Sequence, residues 1–189
     1  MQVNEQLFSL LLLCIILPGL NSYFRNTLLT VKEMSSEKQV IFLRHSTTVN
    51  NEYLRQHSPR AWGGNEDFFQ DPGLIDTSLS EAGITLVRDL NKRLRAPGGE
   101  KLFDRSKVDL VAVSPMRRTL QTASIGLEGV LLSSSNSPSQ HTPPVIVCPL
   151  ARERLYMQAD QGRPRSVLEK EFPAFGDFSA LPADDSPWW

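Results

Sequence analysis

Three short apolar runs, each followed within two residues by polar or charged side chains, constrain the fold more than any other feature of the chain. They occupy residues 39–44 (QVIFLR), 108–113 (VDLVAV) and 145–150 (VIVCPL). Their shortness and their content of branched apolar residues predict strands that are buried on both faces of a parallel sheet. Helical patterns follow the first two runs, so the sequence predicts an α/β fold with a largely parallel sheet.

Two helices are predicted between these strands. Ser80 is typical of a helix N-cap. The apolar face that follows recurs at steps of four, three and four residues and consists of Gly83, Val87, Leu90 and Leu94. A Pro-Gly-Gly sequence at 97–99 ends this helix. The Ser-Pro pair at 114–115 predicts a turn that leads into a second helix near Met116.

The remaining segments are predicted to be irregular. Residues 47–72 lack a clear period and predict a long loop with one helical turn. Residues 131–144 are rich in serine and proline, which predicts a surface loop. Residues 152–189 contain proline and glycine throughout and predict a loop-rich end of the domain.

Charged side chains and an imidazole follow the three predicted strands. Arg44 and His45 follow the first strand, Arg118 follows the second, and Glu153 follows the third. Because the carboxyl ends of parallel strands lie at one edge of a sheet, we expect these residues to converge there. Each residue alone is more typical of a solvated surface, so it is the joint placement after three strands that favours a functional site.

Phosphoryl transfer uses this combination of groups. A guanidinium group matches the oxygens of a phosphate, and a neutral imidazole nitrogen can attack phosphorus and carry the phosphoryl group covalently. A carboxylic acid with a raised pKa can protonate the departing oxygen. Arginines can supply the positive charge that a loose transition state needs, and Cys14 and Cys148 show no metal-ligand spacing. We therefore predict no metal and no other cofactor.

Four segments, in order along the chain, resemble the motifs of the histidine phosphatase superfamily, which is also called phosphoglycerate mutase-like. Residues 44–51 (RHSTTVNN) are similar to its Arg-His-Gly motif with a following Asn. Residues 76–83 (DTSLSEAG) are similar to its Asp-x-x-Leu-Thr-x-x-Gly pattern. Residues 114–123 (SPMRRTLQTA) are similar to its Ser-Pro-Leu-x-Arg-x-x-Gln-Thr-Ala motif, and residues 151–153 (ARE) to its later Arg-Glu element.

The resemblance implies a role for each of five residues. His45 would be the nucleophile that becomes phosphohistidine, and Glu153 would be the proton donor. Arg44 and Arg118 would bind the phosphate, and Asn51 would assist them. The resemblance also implies a three-layer, phosphoglycerate mutase-like fold in which helices flank a mostly parallel sheet.

Other parts of the motifs receive no catalytic role. Residues 121–123 are expected to pack the second helix against the sheet, and Arg117 is expected at the surface. The tail contains a Gly-x-x-x-Ser-x-Leu-x-x-x-Phe-Pro stretch that begins at Gly162, followed by a final tryptophan pair. This tail resembles a subgroup of the superfamily whose substrates are poorly defined, so it does not name the molecule bound.

The chain departs from the family pattern in two places. Ser46 stands where the family has glycine, which is unfavourable only if the position needs a positive φ; alternatively, the Ser46 hydroxyl could donate a hydrogen bond to phosphate. The second departure concerns a catalytic histidine that in the family follows a later strand. It has no counterpart here, because His57 and His141 lie in predicted loops where both are expected to be solvated.

In the family, that later strand lies between the strands that begin here near Gln39 and Val108. Without it, these two strands are expected to pair directly or to leave a gap with unsatisfied backbone groups. The chain also ends with Trp188 and Trp189, which are costly to expose. We therefore expect residues 39–189 to be the N-terminal part of a histidine phosphatase domain, incomplete at the C-terminus, truncated and of low stability.

A predicted leader and linker precede this domain at residues 1–38. An apolar run begins at Leu7 and ends at Leu20. It is shorter than the ~20 residues that span a bilayer and suits the centre of a signal peptide. However, Glu5 and the absence of Lys and Arg before the run do not fit a signal peptide. The alternatives are an extension that packs on the domain and a segment from a doubtful start codon. The location is secretory or membrane-associated if the run is a signal, and cytoplasmic otherwise.

The sequence thus predicts phosphoryl transfer through a phosphohistidine, with hydrolysis of phosphomonoesters as the preferred activity. The alternative is a catalytically inactive protein that binds phosphate or a partner, because the second histidine is missing. The expected ligand is a small phosphorylated substrate or a phosphoprotein. With 20 Lys and Arg against 21 Asp and Glu, a net charge of −1 argues against a nucleic-acid partner. Membrane association, the oligomeric state and the choice between phosphatase and mutase stay open.

Overall fold

The computed structural model describes residues 10–13, 28–32, 39–57, 71–99, 103–132, 142–173 and 175–189. Strands β1 to β5 occupy Leu10–Leu13, Leu28–Lys32, Gln39–Leu43, Leu110–Val113 and Val145–Val147. Helices α1 to α4 occupy Val49–His57, Glu81–Arg95, Arg117–Gly126 and Arg165–Glu171. From β3 onwards strands and helices alternate, which confirms the predicted α/β class.

The five strands form one sheet in the order β2-β3-β1-β4-β5. Strand β1 is parallel to both β3 and β4, and β4 is parallel to β5. Only β2 runs antiparallel to its neighbour, β3. The sheet is therefore mostly parallel, as predicted, whereas the three-layer arrangement stays a prediction.

Strand β1 occupies the position between β3 and β4. Leu12 is in register with Phe42 of β3 on one side and with Ala112 of β4 on the other. The expectation that these two strands pair directly or leave a gap is therefore wrong. The facing edges of β3 and β4 pair with the backbone of β1 instead, which supplies partners for groups that would otherwise be unsatisfied.

This strand belongs to the apolar run that begins at Leu7 and ends at Leu20, of which only Leu10–Leu13 is described. A strand in the sheet agrees with the alternative of an N-terminal extension that packs on the domain. The sheet also extends across the predicted domain boundary at residue 39, because both β1 and β2 precede it. The signal-peptide interpretation stays a prediction. In the described part of the chain, no helix combines the length and hydropathy that a bilayer span requires.

Helix α1 is longer than the single turn predicted for its segment. Thr48 and Asn51 cap its first turn reciprocally, since each backbone N–H donates to the side-chain oxygen of the other at 3.0 Å. The helix buries only one apolar side chain, Leu54. Its other apolar residue, Val49, is exposed, so the helix lacks the periodic apolar face on which the sequence-based prediction relies.

Helix α2 begins and ends as predicted. The Ser80 hydroxyl accepts a hydrogen bond from the Gly83 N–H at 3.1 Å, and the helix ends at Arg95, before the Pro-Gly-Gly sequence. A Cβ on Gly83 would overlap the Thr47 carbonyl, so only glycine allows this close approach. The Ser80 N–H also donates to the Thr47 carbonyl at 3.0 Å. The start of α2 is thereby packed on the loop that leaves β3.

Two predicted strands are shorter than their apolar runs. Strand β4 begins at Leu110 rather than at Val108. Strand β5 ends at Val147, because a 3-10 turn at Pro149–Ala151 follows it. Of the predicted surface loop at 131–144, the structure describes only the two ends.

The C-terminal part contains a helix, α4, where the sequence predicts a loop-rich segment. Leu168 of α4 is fully buried in the core. The final tryptophans are also less exposed than expected. The Trp188 indole N–H donates to the Arg163 carbonyl at 2.7 Å, and its ring packs directly on Gly162. Trp189 lies edge-on to the Trp188 ring. The C-terminus is therefore attached to the loop that precedes α4.

Candidate active site

His45 follows β3 and is partly buried. Its Nδ1 lies 2.7 Å from the carbonyl oxygen of Ser46. A carbonyl can only accept, so this geometry assigns the proton to Nδ1 and leaves the lone pair on Nε2. Burial, followed by the positive charges of Arg118 and Arg44, lowers the pKa of His45 to about 3. The imidazole is therefore neutral at ordinary pH, which is the state that a nucleophile needs.

Ser46 connects the loop after β3 to helix α3. Its N–H donates to the Thr122 hydroxyl at 3.3 Å, and that hydroxyl donates to the Arg118 carbonyl at 2.7 Å. Among the described non-glycine residues, only Asp76 and Asp185 have a positive φ. A serine in place of the family glycine is therefore not strained. The Ser46 hydroxyl is buried and has no hydrogen-bond partner within the described structure.

Arg118 lies in the first turn of α3 and is only 4% exposed. Its guanidinium group donates through Nη1 to the Ala159 carbonyl at 2.8 Å and through Nη2 to the Asp160 carboxylate at 3.0 Å. Its Nε is buried and has no hydrogen-bond partner in the described part of the chain. Since a guanidinium carries five N–H donors, several of those on Arg118 can still bind an anion.

Glu153 follows the 3-10 turn after β5. Its Oε2 lies 3.6 Å from Nη2 of Arg118. Burial and the nearby charge of Asp160 raise the pKa of Glu153, while the charges of Arg118 and Arg44 oppose that rise. A carboxyl group with a raised pKa is better able to hold a proton and to donate it.

Arg44 and Asn51 complete the set of predicted site residues. Arg44 is exposed, and its charge lowers the pKa of His45. Asn51 uses its side-chain oxygen to accept the Thr48 N–H, so its observed role is to cap α1. The structure thus brings His45, Arg44, Arg118 and Glu153 within electrostatic range of one another, and the role of each toward phosphate stays a prediction.

Asp160 is a buried residue at this site that sequence reasoning missed. One carboxylate oxygen accepts from Arg118, and the other accepts from the N–H groups of Tyr156 and Met157 at 3.3 and 3.0 Å. A lone Asp in an irregular polar segment gives no periodic signal, and its partner Arg118 is 42 residues away.

Asp76 is quoted in a motif but receives no role from the sequence. It is fully buried, with a φ of 41°, and its Oδ1 accepts the Arg117 N–H at 2.9 Å. Its Oδ2 lies 3.8 Å from the Nε of Arg163 and has no hydrogen-bond partner in the described structure. Burial raises the pKa of Asp76 to about 6. Asp76 therefore holds the start of α3, the helix that carries Arg118.

The neighbouring residues of α3 have structural roles. Arg117, predicted at the surface, is instead half-buried and pairs with Glu171 of α4 at 2.7 Å. Arg117 is half-buried because α4 lies beside it, which the sequence does not reveal. The Gln121 side-chain oxygen accepts the Leu79 N–H at 2.7 Å, and Thr122 and Ala123 are buried.

Neither of the other two histidines is placed at this site by the structure. His57 is exposed at the end of α1, where its Nδ1 lies 3.0 Å from the Tyr53 carbonyl and its ring stacks on Tyr53. His141 lies outside the described residues. Within the described residues, no group of three or more His, Cys, Asp or Glu side chains is arranged to hold a metal ion.

The chain is similar to two curated proteins of Arabidopsis thaliana. It is 29% identical over 171 residues to "Phosphoglycerate mutase-like protein 1" and equally identical to "Phosphoglycerate mutase-like protein". The match covers 80% of this chain and 55% and 58% of the two relatives, so the chain spans about half the length of the curated relatives it matches. No protein-family model and no solved structure matches the chain. The two relatives support a relationship with the phosphoglycerate mutase-like superfamily, with which the α/β fold is compatible.

Proposed function

We propose that the protein transfers phosphoryl groups through a phosphohistidine at His45 and hydrolyses phosphomonoesters. The observation that carries this proposal is the state of His45. The Ser46 carbonyl accepts the Nδ1–H, and the imidazole is neutral above about pH 3, so its lone pair lies on Nε2. The names of the two relatives agree with a phosphoryl-transfer family.

In the first step, Nε2 of His45 attacks the phosphorus atom of the ester. The N–P bond forms while the bond from phosphorus to the ester oxygen breaks. The proton of the Glu153 carboxyl group passes to the departing oxygen, so an alcohol leaves rather than an alkoxide. Arg118 and Arg44 bind the oxygens of the phosphoryl group and stabilise their charge during transfer.

In the second step, water attacks the phosphorus of phosphohistidine. Glu153 is now a carboxylate and accepts a proton from this water. The N–P bond breaks, its electron pair returns to Nε2, and inorganic phosphate leaves. The cycle therefore restores both the neutral imidazole and the protonated Glu153.

The substrate class is a small phosphorylated metabolite or a phosphoprotein. A mutase must retain the phosphoryl group and exclude water until the group is returned to an acceptor. Hydrolysis requires only that water reach the phosphohistidine, and Glu153 and His45 are only partly buried. Hydrolysis is therefore the simpler use of this site.

A second candidate function is phosphate binding without turnover. The observation that favours it is that, in the part of the chain the structure describes, His57 is the one other histidine and it is bonded within its own helix. In that case Arg44 and Arg118 would bind an anion, and no phosphate would be released from an ester.

Turnover by the purified 189-residue chain separates these two functions. The release of inorganic phosphate is measured with p-nitrophenyl phosphate and with a panel of alkyl phosphates and phosphopeptides. We expect release by the wild type and by His57→Gln, the matched control for an exposed histidine, and none by His45→Gln. Phosphate release that survives His45→Gln contradicts the proposed function. Phosphate binding by a correctly folded chain that releases none supports the second candidate.

A further inference from the structure

Asp160 is a buried carboxylate to which neither step of the reaction gives a role. It is 4% exposed and lies at the end of the 3-10 turn Gln158–Asp160. We propose that Asp160 is a positioning residue, which fixes the Arg118 guanidinium group and by its charge disfavours a second carboxylate at Glu153. This inference rests on the proposed function, because it assigns to Asp160 the preparation of the phosphate ligand and of the proton donor.

The hydrogen bonds of Asp160 are all made to the protein itself in the described structure. Its Oδ1 accepts from Arg118, and its Oδ2 accepts from the backbone N–H groups of Tyr156 and Met157. Both oxygens are thus held, and the loop that carries them folds around the carboxylate. Asp160 is attached to the backbone on one side and to Arg118 on the other.

These contacts determine how Arg118 can present its donors. Nη1 is fixed by the Ala159 carbonyl and Nη2 by Asp160, at 2.8 and 3.0 Å. Two contacts at neighbouring corners fix both the position and the plane of a guanidinium group. The donors that remain, including the buried Nε–H, then have one orientation before phosphate arrives. A preorganised donor loses less free energy on binding than one that must be ordered.

The same arrangement brings two carboxyl groups to one nitrogen atom. Nη2 of Arg118 lies 3.0 Å from Asp160 Oδ1 and 3.6 Å from Glu153 Oε2. One cation cannot offset two neighbouring carboxylates fully, so one of them is favoured in the protonated form. Asp160 has the shorter contact with Arg118 and accepts two backbone N–H groups, and its charge raises the pKa of Glu153. Glu153 is therefore the group that takes the proton.

The other charges around Glu153 do not cancel the rise in its pKa. Arg44 attracts the ionised form of Glu153, as Arg118 does. The Arg152 guanidinium group donates to the backbone carbonyl of Glu153, at 2.9 Å. His45 is neutral. Burial and the charge of Asp160 outweigh the two cations, and the pKa of Glu153 is raised.

The direct test is an NMR titration of the Glu153 carboxyl carbon in protein labelled with ¹³C-glutamate. The signal is assigned with Glu153→Gln. We expect the pKa of Glu153 to lie above its ordinary value of 4.5 in the wild type and to fall in Asp160→Asn. The matched control is Asp89→Asn, which removes an exposed carboxylate that pairs with Lys92 and which should leave the titration unchanged. An equal pKa of Glu153 in wild type and in Asp160→Asn overturns the proposal.

A second measurement uses the wild type alone, and it tests the positioning of Arg118 even if Asp160→Asn does not fold. In the wild type, the ¹⁵N-bound protons of the Arg118 side chain should give separate signals, because two contacts stop rotation of the guanidinium group. Averaged signals, like those of a solvated arginine, overturn the positioning role.

Failure of the proposed function is distinguishable from failure of this inference. If no phosphate is released, the two NMR measurements still report on Asp160, Arg118 and Glu153. If the protein is active, turnover should fall as pH rises through the pKa of Glu153, since the first step uses its protonated form. In Asp160→Asn this fall should occur at lower pH, and a fall at unchanged pH contradicts the inference.

Discussion

The guanidinium group of Arg118 donates to the carboxylate of Asp160 at 3.0 Å, although 42 residues separate the two in sequence. The contact joins the first turn of α3 to the 3-10 turn that precedes α4. Through this pair, the ligand proposed for phosphate is fixed to the segment that follows the proposed proton donor, Glu153. The site therefore depends on the C-terminal segment as well as on the strand ends.

Arg118→Lys should decrease the turnover of the protein by about 100-fold or more, the magnitude typical of the loss of one preorganised donor to a developing charge. Lysine has one point charge and cannot reach both the Ala159 carbonyl and Asp160 while also binding phosphate. The measurement is kcat/KM with p-nitrophenyl phosphate. The neighbouring Arg117→Lys is the matched control, because Arg117 pairs with Glu171 instead. Equal effects of the two substitutions contradict the assignment of Arg118 to the site.

Glu153→Gln should impair substrates according to their leaving groups. An alkyl phosphate needs a proton on its departing oxygen, and loss of a general acid typically slows such a step by about 10²–10⁴-fold. p-Nitrophenolate leaves without protonation, so kcat/KM with p-nitrophenyl phosphate, which covers only the steps up to release of the leaving group, should change much less. The control is Glu169→Gln, an exposed carboxylate that pairs with Arg165 on α4. A uniform loss of kcat/KM across both substrate types shows that Glu153 is not the proton donor.

Asp76 should make the protein less stable as pH rises from about 4 to about 6. Burial raises its pKa from 3.8 to about 6, so the folded state binds this proton more tightly than the unfolded state does. The stabilising contribution of this proton is complete below the pKa of the unfolded state and is lost as pH rises through about 6. The loss in the free energy of unfolding is at most about 3 kcal/mol.

Asp76→Asn tests this prediction, because asparagine keeps an oxygen for the Arg117 N–H but does not titrate. Chemical denaturation at pH 4 and pH 7 gives the free energy of unfolding of each protein. The advantage of wild type over Asp76→Asn should shrink or reverse between these values. The lowered pKa of His45 acts in the opposite sense in both proteins and cancels in the comparison. A constant difference between the proteins contradicts the raised pKa of Asp76.

Gly162→Ala should destabilise the fold by about 1–3 kcal/mol, the usual effect of inserting a methyl group into a packed site. Its Cβ would overlap the ring of Trp188. Trp188→Ala should also destabilise, because the ring packs on the core and its N–H donates to Arg163. In the double variant the two effects should not add, since the clash is absent. Additive losses in the free energy of unfolding rule out the contact.

Leu12→Pro should destabilise the folded chain strongly. Proline has no N–H for the ladder, and β1 has strands on both sides. Leu12→Val, which keeps the backbone N–H, serves as the control. Thermal unfolding measures the effect. If the two variants unfold at the same temperature as the wild type, β1 does not contribute to the sheet.

The parts of the fold that follow local rules were predictable. Strand β3 has an uninterrupted apolar run, and α2 has both an N-cap at Ser80 and a periodic apolar face. Helix α1 is longer than the single predicted turn. Its length was not predictable because the helix buries little more than Leu54 and is held by a Thr48–Asn51 cap that does not match the usual Ser/Thr-x-x-Glu pattern. Its formation depends on the loops that it contacts.

The position of β1 could not be predicted from its own sequence. An apolar run such as the one that contains Leu10–Leu13 suits a signal, a membrane segment or a buried strand equally. Whether this run forms a strand depends on the edges of β3 and β4 that it can pair with, and those edges are a property of the whole sheet. Likewise, Arg118 and Glu153 follow predicted strands, whereas Asp160 follows none and is defined only by its partners.

The phosphorylation state of His45 tests the mechanism most directly. The full chain is incubated with a small phosphoryl donor such as acetyl phosphate, quenched in alkali, digested and analysed by mass spectrometry. We predict one phosphoryl group on the peptide that contains His45, stable in alkali, lost in acid, present in His57→Gln and absent in His45→Gln. A phosphoryl group on another residue, or none on a correctly folded chain, would contradict phosphoryl transfer through His45.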